Sequence, residues 1–514
     1  MRRIAVSCST WFVLVATTPL DVRAQESTPE LSAALKTING KDVQATIDFL
    51  TSRECAGRDT AQAGLDRAIG LVTERFERLG LESVSDSGNA FLAPWSVPVV
   101  DAAACSLELA GEGQAPSVWA VREDFVPAKG CPDGSVEGDL LFAGFSVSER
   151  KYHWDDFAKV DAKKRIVVAL LGEPGDGKNK KFFEGSELTA SASVLEKAKA
   201  AAEAGAVGLI LCPSSAEEST LWLGSQVPVV SQSGRGGGGA PLPIPTVVVS
   251  LSVAESLLGE PADAVRERVV ARGRTASEPL RTGRAKLAVA MEARQAPVAN
   301  VLGRYRGRDP DLAGDIIVIG AHIDHIGVDD RGRICHGADD NAGGVAAVLE
   351  IAEAFATAKP ATKRSIVFMA FTGEEKGLLG SKAYCKDPLI PIARTYAMIN
   401  LDIIARGRKN AIEATLPPGK SAIDRLLPAA SRLSGANLKI GDGGHEYFQR
   451  SDQYSFHEVG IPTVFFNEGA TNEDYHQPSD TADKVLEDKV AAVAKVSCTL
   501  AFLLANTDIK GGLK

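Results

Sequence analysis

The chain lacks any basic run, and its 57 lysines and arginines are outnumbered by 66 acids, for a net charge of −9 and a pI near 5.5. Nucleic acid and anionic membranes both require a basic face, so neither is an expected partner. No uninterrupted apolar stretch reaches the roughly 20 residues that span a bilayer. Ile4 to Val15 is apolar but shorter, and Pro19 follows it. With Arg2 and Arg3 ahead of it and Val22-Arg23-Ala24 behind, it reads as an export signal over residues 1–24. A periplasmic or extracellular location is therefore expected. Cysteine is sparse: eight in 514 residues, one inside the signal, too few and too scattered for a disulfide framework. Cys105 and Cys131 are the pair to test first. No internal repeat of 20 to 50 residues is apparent.

What remains is an ordinary globular composition, 45% apolar and 24% charged, in a chain too long for one core. We expect residues 25–124 to form the N-terminal part of a main domain, 125–275 an inserted smaller α/β domain, and 276–514 the rest of the main domain. Asp66 to Leu79 has helical spacing, and Phe91 to Val100 resembles a strand that Pro94 and Pro98 confine to a sheet edge. Arg165–Leu171, Gly205–Cys212 and Thr246–Val249 read as strands, with Ser193–Ala204 an alanine-rich helix. Gly172 to Asn179 nearly matches a phosphate-binding loop. Asn179 replaces the magnesium-holding hydroxyl and Pro174 removes a backbone donor, so it reads as a turn. From about 297 the chain alternates cleanly. Ile316–Ala321, Ser365–Phe371, Tyr396–Leu401 and Thr463–Phe466 are predicted strands. Gly344–Ala358, Leu378–Tyr384 and Val490–Leu504 are predicted helices. That pattern predicts a mostly parallel mixed sheet covered by helices on both faces.

Six of the seven histidines lie beyond residue 320. They accompany five short signatures: His322-Ile-Asp324, Asp339-Asp340-Asn341, Glu374-Glu375, Asp402 in Asn400-Leu-Asp-Ile, and Asp474-Tyr-His476. Three follow predicted strands, so an open α/β sheet delivers them to one crevice at its carboxyl edge. Mixed imidazole and carboxylate suits a divalent ion such as zinc. Two ions about 3.5–4 Å apart share a bridging carboxylate and activate a water. Asp339, between ligand-bearing elements, is the candidate bridge. One member of Glu374-Glu375 can face the metal while the other takes the water's proton. Asp324 is placed to accept the second N–H of His322. His325 and His336 are read as supporting or loop residues, and Asp480 as a helix cap. Singly, each signature is as ordinary as a cap or a solvated helix end; jointly they are not.

Gly320-Ala-His-Ile-Asp-His-Ile-Gly327, His336-Gly-Ala-Asp-Asp-Asn-Ala342, Phe371-Thr-Gly-Glu-Glu-Lys-Gly-Leu-Leu-Gly-Ser381, Ile399-Asn-Leu-Asp402 and Asp474-Tyr-His-Gln-Pro-Ser-Asp-Thr481 together resemble the co-catalytic zinc aminopeptidase family, metallopeptidase family twenty-eight. That family includes aminopeptidase Y and the bacterial leucyl aminopeptidases. The resemblance covers about 297 to 505 and implies a three-layer zinc exopeptidase sandwich. It implies two Zn2+ per chain: His322 and Asp402 on one, Glu375 and His476 on the other, Asp339 bridging. It makes Glu374 the general base and Tyr475 a stabiliser of the oxyanion, with a cis peptide between Asp339 and Asp340. The segment 165–212 is similar to a protease-associated domain. Gly343 stands where many relatives have Ser, and Gln453 where His is frequent. The expected substrate is a peptide or protein N-terminus. Carboxypeptidase, glutaminyl cyclase and catalytically silent relatives are the alternatives.

Overall fold

The computed structural model describes residues 28–84, 91–110, 117–175, 182–185, 187–231, 241–272, 277–419 and 421–509. The proposed signal over 1–24, and part of the Gly172–Asn179 turn, lie outside them.

Two sheets with separate cores organise these residues. The first has ten strands. Its centre is parallel: Ser365–Phe371, Ile316–His322, Thr395–Leu401 and Thr463–Asn467 lie side by side in that order. Every residue of Ile316–His322 is buried, and its side chains alternate between two cores. Ile317 and Ile319 face one core, beneath the helices Gly343–Ala358 and Glu487–Asn506. Ile316 and Val318 face the other, with Tyr384 and Phe456 from the helices Leu379–Lys386 and Gln453–Glu458. Helices thus cover both faces, as a strand run with no polar side requires.

Both flanks of this sheet turn antiparallel. On one side Met291–Tyr305 and Leu92–Ala102 pair along eleven residues. Leu92–Ala102 holds Pro94 and Pro98 and is almost an edge: beyond it Val229–Val230 pairs only with Val100 and Val99. On the other side Ala411–Thr415 and Lys439–Gly441 extend the sheet, two short strands with no clear sequence signal.

The second sheet has eight strands, three of its pairings parallel. Ile166–Leu170 and Gly208–Cys212 are wholly buried at its centre and feed two cores in the same alternating way. Its strands run from Ser106–Ala110 to Ser277–Val289, wider at both ends than the 125–275 window. The added strands pair antiparallel with each other and with Gly134–Ala143, a polar–apolar alternation easily missed by eye. This unit meets the first through the 328–334 turn: Val194 N–H donates to Asp330 O, Arg331 to Leu188 O, and Trp222 packs on Gly332. Gln62 and Asp59 complete the contact, to Ser225 O and to Lys129.

Among the described residues no helix is long and apolar enough to cross a membrane. Cys105 and Cys131 are free thiols.

Candidate active site

The central strands end on one crevice, and that is where the five signatures meet. His322 closes Ile316–His322, Glu374 and Glu375 follow Ser365–Phe371 after a turn with Gly373 at positive φ, and Asp402 follows Thr395–Leu401. Asp340 lies before the N-terminus of Gly343–Ala358, and His476 on the loop after Thr463–Asn467.

Asp340 is the hub. Its Oδ1 is 3.2 Å from His322 Nε2, which is 3.1 Å from Asp402 Oδ1. Its Oδ2 is 3.2 Å from His476 Nε2, which is 3.0 Å from Glu375 Oε2. Two donor sets result, His322/Asp340/Asp402 and His325/Asp340/Glu375/His476, the donor atoms of each within 4.8 Å of one another. They share one carboxylate. His476 Nε2 faces two carboxylate oxygens yet makes no aligned hydrogen bond to either. An imidazole nitrogen aimed between two acid oxygens is a donor arrangement that suits a divalent cation.

The expected bridge, Asp339, is therefore corrected to Asp340. Asp339 points away and is held structurally: its Oδ1 accepts Ala405 N–H at 2.7 Å and its Oδ2 accepts Asn472 Nδ2 at 2.9 Å. The cis peptide likewise falls between Asp340 and Asn341 rather than between Asp339 and Asp340. Asp480, expected as a cap, accepts the backbone N–H groups of both Asp339 and Asp340 at 3.1–3.2 Å. It fixes which of the two acids faces the crevice.

Asp324 also differs from expectation. His322 Nδ1 bonds the backbone carbonyl of Asp324 at 3.1 Å, while the carboxylate lies 3.9 Å away. That carboxylate instead accepts the backbone N–H of Glu374 (3.1 Å) and of Glu375 (3.3 Å), and Thr60 Oγ1 at 3.0 Å. It orients the acid pair, not the imidazole. His325 supports Glu375, bonding its Oε1 at 2.8 Å and leaving Oε2 for the His476 side.

Charge follows the geometry. Burial works against every ionised group here, but His322 and His476 hold Asp340 well below the usual carboxylate range. Glu375, raised by burial and by Asp340, is brought down to about 2 by His325 and His476. His476, lowered by burial, is raised to about 10 by the facing Asp340 and Glu375. Glu374 is the opposite case: burial, then Glu375 and Asp402, push it well above its ordinary value despite His322. The proton affinities of two adjacent carboxylates are thus driven in opposite directions.

A cleft of about 430 Å³, including its open mouth, leads to these groups. Asp340, Glu374 and Asp402 line it, with Ile403, Tyr447, Arg450, Phe465, Glu468 and Tyr475. Tyr475 stacks on His476 with ring centres 3.8 Å apart, and its oxygen accepts Arg450 Nη2 at 3.2 Å. Gln453 does not face the cleft; it is buried between Asn400 and the Phe448 carbonyl. Gly343 packs on Ala405, where a Cβ would come within 2.9 Å. Cys335 and His336 belong to the loop, the His336 ring bonded to Thr51 O.

Residues 300–501 match the model of Peptidase family M28. Over that stretch, less than half of the chain, the sequence is similar to peptidase family M28. The matched stretch contains every residue of the two donor sets. A probable leucine aminopeptidase of Arthroderma otae is 30% identical over 211 residues, 39% of this chain and 57% of that protein. Aminopeptidase YwaD of Bacillus subtilis is 29% identical over 187 residues, 34% of this chain and 38% of the other. A probable zinc metalloprotease of Pyricularia oryzae is 30% identical over 258 residues, covering 41% and 50%. The chain thus spans about half the length of such relatives. Among solved structures, an aminopeptidase from Aneurinibacillus sp. strain AM-1 aligns over 94% of this chain and 97% of its own, at 23% identity and TM-score 0.47.

Proposed function

We propose that the chain is an exported, zinc-dependent aminopeptidase that hydrolyses N-terminal residues from peptides. The observation that carries this reading is the single Asp340 carboxylate presenting one oxygen to each donor set. His322 and Asp402 would hold one Zn2+, Glu375 and His476 the second, and Asp340 would bridge. When bound, such a pair lowers the pKa of a shared water and polarises the scissile carbonyl.

The chain's own residues carry the rest. Glu374 lines the cleft beside Asp340 and Asp402, and burial and like charge raise its affinity for a proton. As a carboxylate it takes a proton from water and, as the carboxylic acid so formed, returns it to the leaving amine. Tyr475 donates its O–H to the developing oxyanion, its oxygen already receiving Arg450 Nη2. Glu468 also lines the wall, ion-paired with the buried Lys489. The second sheet unit serves as the protease-associated domain, and the product of export is periplasmic or extracellular.

Arg450 supports a second reading. It lines the cleft as a cation, which a related exopeptidase acting at a free carboxyl end requires. One panel separates the readings: bound zinc by elemental analysis, and turnover of aminoacyl anilides, their N-blocked analogues, and dipeptides with free or amidated C-termini. An aminopeptidase cleaves the anilides and loses N-blocked ones. Two bound zinc ions with no preference for a free amine would overturn the first reading.

A further inference from the structure

Arg58 is completely buried, yet among the described residues no carboxylate lies within ion-pairing distance of it. All its hydrogen bonds go to backbone carbonyls. Nε donates to Ile323 O at 2.9 Å, Nη1 to Leu50 O at 2.5 Å and His336 O at 2.8 Å, and Nη2 to Gly337 O at 3.0 Å. Ile323 sits between His322 and Asp324. Gly337, at φ +61°, starts the turn that delivers Asp340. One planar fork therefore spans the two loops whose side chains, His322 and Asp340, face each other across 3.2 Å.

The surrounding backbone makes the same connection. Arg58 O accepts His325 N–H at 3.1 Å and Gly57 O accepts Gly327 N–H at 3.0 Å. Gly57, at φ +71°, is wedged so closely that a Cβ would come within 2.4 Å of Gly327 O and 2.5 Å of Cys335 O. Residues 57–58 form a clip between the His322–His325 and Cys335–Asp340 loops. Burying a guanidinium without a direct ion pair is costly, so its carbonyl bonds must be specific rather than incidental. No lysine could replace it, because a single ammonium cannot reach four separated carbonyls in one plane.

We propose that Arg58 is a positioning residue for the metal pair, presetting the His322–Asp340 spacing before any ion arrives. The inference rests on the two-metal reading above. Geometry and charge predict opposite outcomes here. A buried cation near the site repels metal, so removing it for electrostatic reasons alone would tighten binding. If its work is to hold the loops, removing it loosens binding.

The test is zinc affinity by competition against a chromophoric chelator, for the parent, Arg58→Met and Arg58→Lys, with circular dichroism to confirm folding. The expected result is a 10- to 100-fold loss of affinity in both variants, about the range for groups that orient ligands. The His322/Asp402 site is expected to empty first, because both loops feed it. Unchanged or tighter zinc in folded Arg58→Met would overturn the proposal, as would full rescue by lysine. A second measurement needs only the parent. Hydrogen exchange at His325 and Gly327 amides in the metal-free chain should be nearly as slow as in the loaded chain. Fast exchange that slows only on zinc addition would refute presetting, even if neither variant folds. A parent that takes up no zinc defeats the two-metal reading, whereas slow metal-free exchange would still support the clip.

Discussion

Consider replacing Asp339 and Asp340 one at a time with alanine. Asp340→Ala removes both oxygens that link the donor sets, each 3.2 Å from a histidine nitrogen. Each proposed ion is left with two protein donors instead of three. Elemental analysis after dialysis should fall from two zinc ions to one or none. Hydrolysis of leucyl anilide should drop on the order of 1,000-fold, equivalent to about 4 kcal/mol of transition-state stabilisation. Asp339→Ala should behave differently. It strips acceptors from the buried Ala405 N–H and from the half-buried Asn472 amide, which water can partly satisfy. An unsatisfied buried donor costs about 1–3 kcal/mol and a half-buried one less, so the pair should cost roughly 2–4 kcal/mol. Burial and the neighbouring Asp480 hold the Asp339 carboxyl well above its ordinary value, and removing that unfavourable group offsets part of the loss. The lower end, about 2 kcal/mol, is therefore expected as a lowered midpoint in thermal or urea unfolding, with zinc content near two. The refuting result is the reverse pattern: Asp339→Ala emptied of metal and Asp340→Ala still holding both ions.

Three further outcomes follow. Glu374→Gln should keep two zinc ions but lose on the order of 100- to 10,000-fold in kcat, the usual worth of a general base; loss of metal instead would make Glu374 a ligand. Arg450→Met should lower kcat through Tyr475 while leaving metal content unchanged, and the decrease should be matched, without further loss, by adding Tyr475→Phe. Lys197 in the second unit is fully buried, bonded to Phe145 O, and lowered by burial to about 7 despite Asp156. Unfolded, it holds its proton to near 10.5, so the unfolded state binds more protons between those values and stability rises with pH there. Lys197→Met should abolish that rise, about 1.4 kcal/mol per pH unit at most, as read by urea unfolding at pH 7.5 and 9.5. Equal slopes in both proteins would show that Lys197 stays charged when folded.

Much of this fold could be read from pattern because its central strands are buried on both faces. Ser365–Phe371 and Thr246–Val249 were expected at the observed bounds, being continuous apolar runs between polar turns. Ala411–Thr415 and Lys439–Gly441 escaped, since short flank strands carry a weak alternation that propensity does not distinguish from loop. The helix Ala422–Leu433 also escaped; Pro428 inside it reads as a breaker, yet the helix keeps a capping box at Ser421 and Asp424. The second unit's outer strands depend on pairing between residues near 108 and 286, a long-range contact that no local window contains.

The site divides along the same line. His322, Glu375, Asp402 and His476 were expected in one place and do converge, because each is fixed by its place after a strand or by its own signature. Which acid stands between the two donor sets was not legible. In Asp339-Asp340 the residue types are identical, so spacing cannot say which carboxylate turns inward. That choice is made by partners far away in sequence. Asp480 takes the backbone N–H of both, Ala405 and Asn472 claim the Asp339 carboxylate, and Arg58 holds Gly337 just upstream. With Asp339 thus occupied, Asp340 is the acid left to face the histidines. A donor set is therefore written locally, but its phase is set by tertiary hydrogen bonds, and those are the positions where substitution should move metal affinity without touching a ligand.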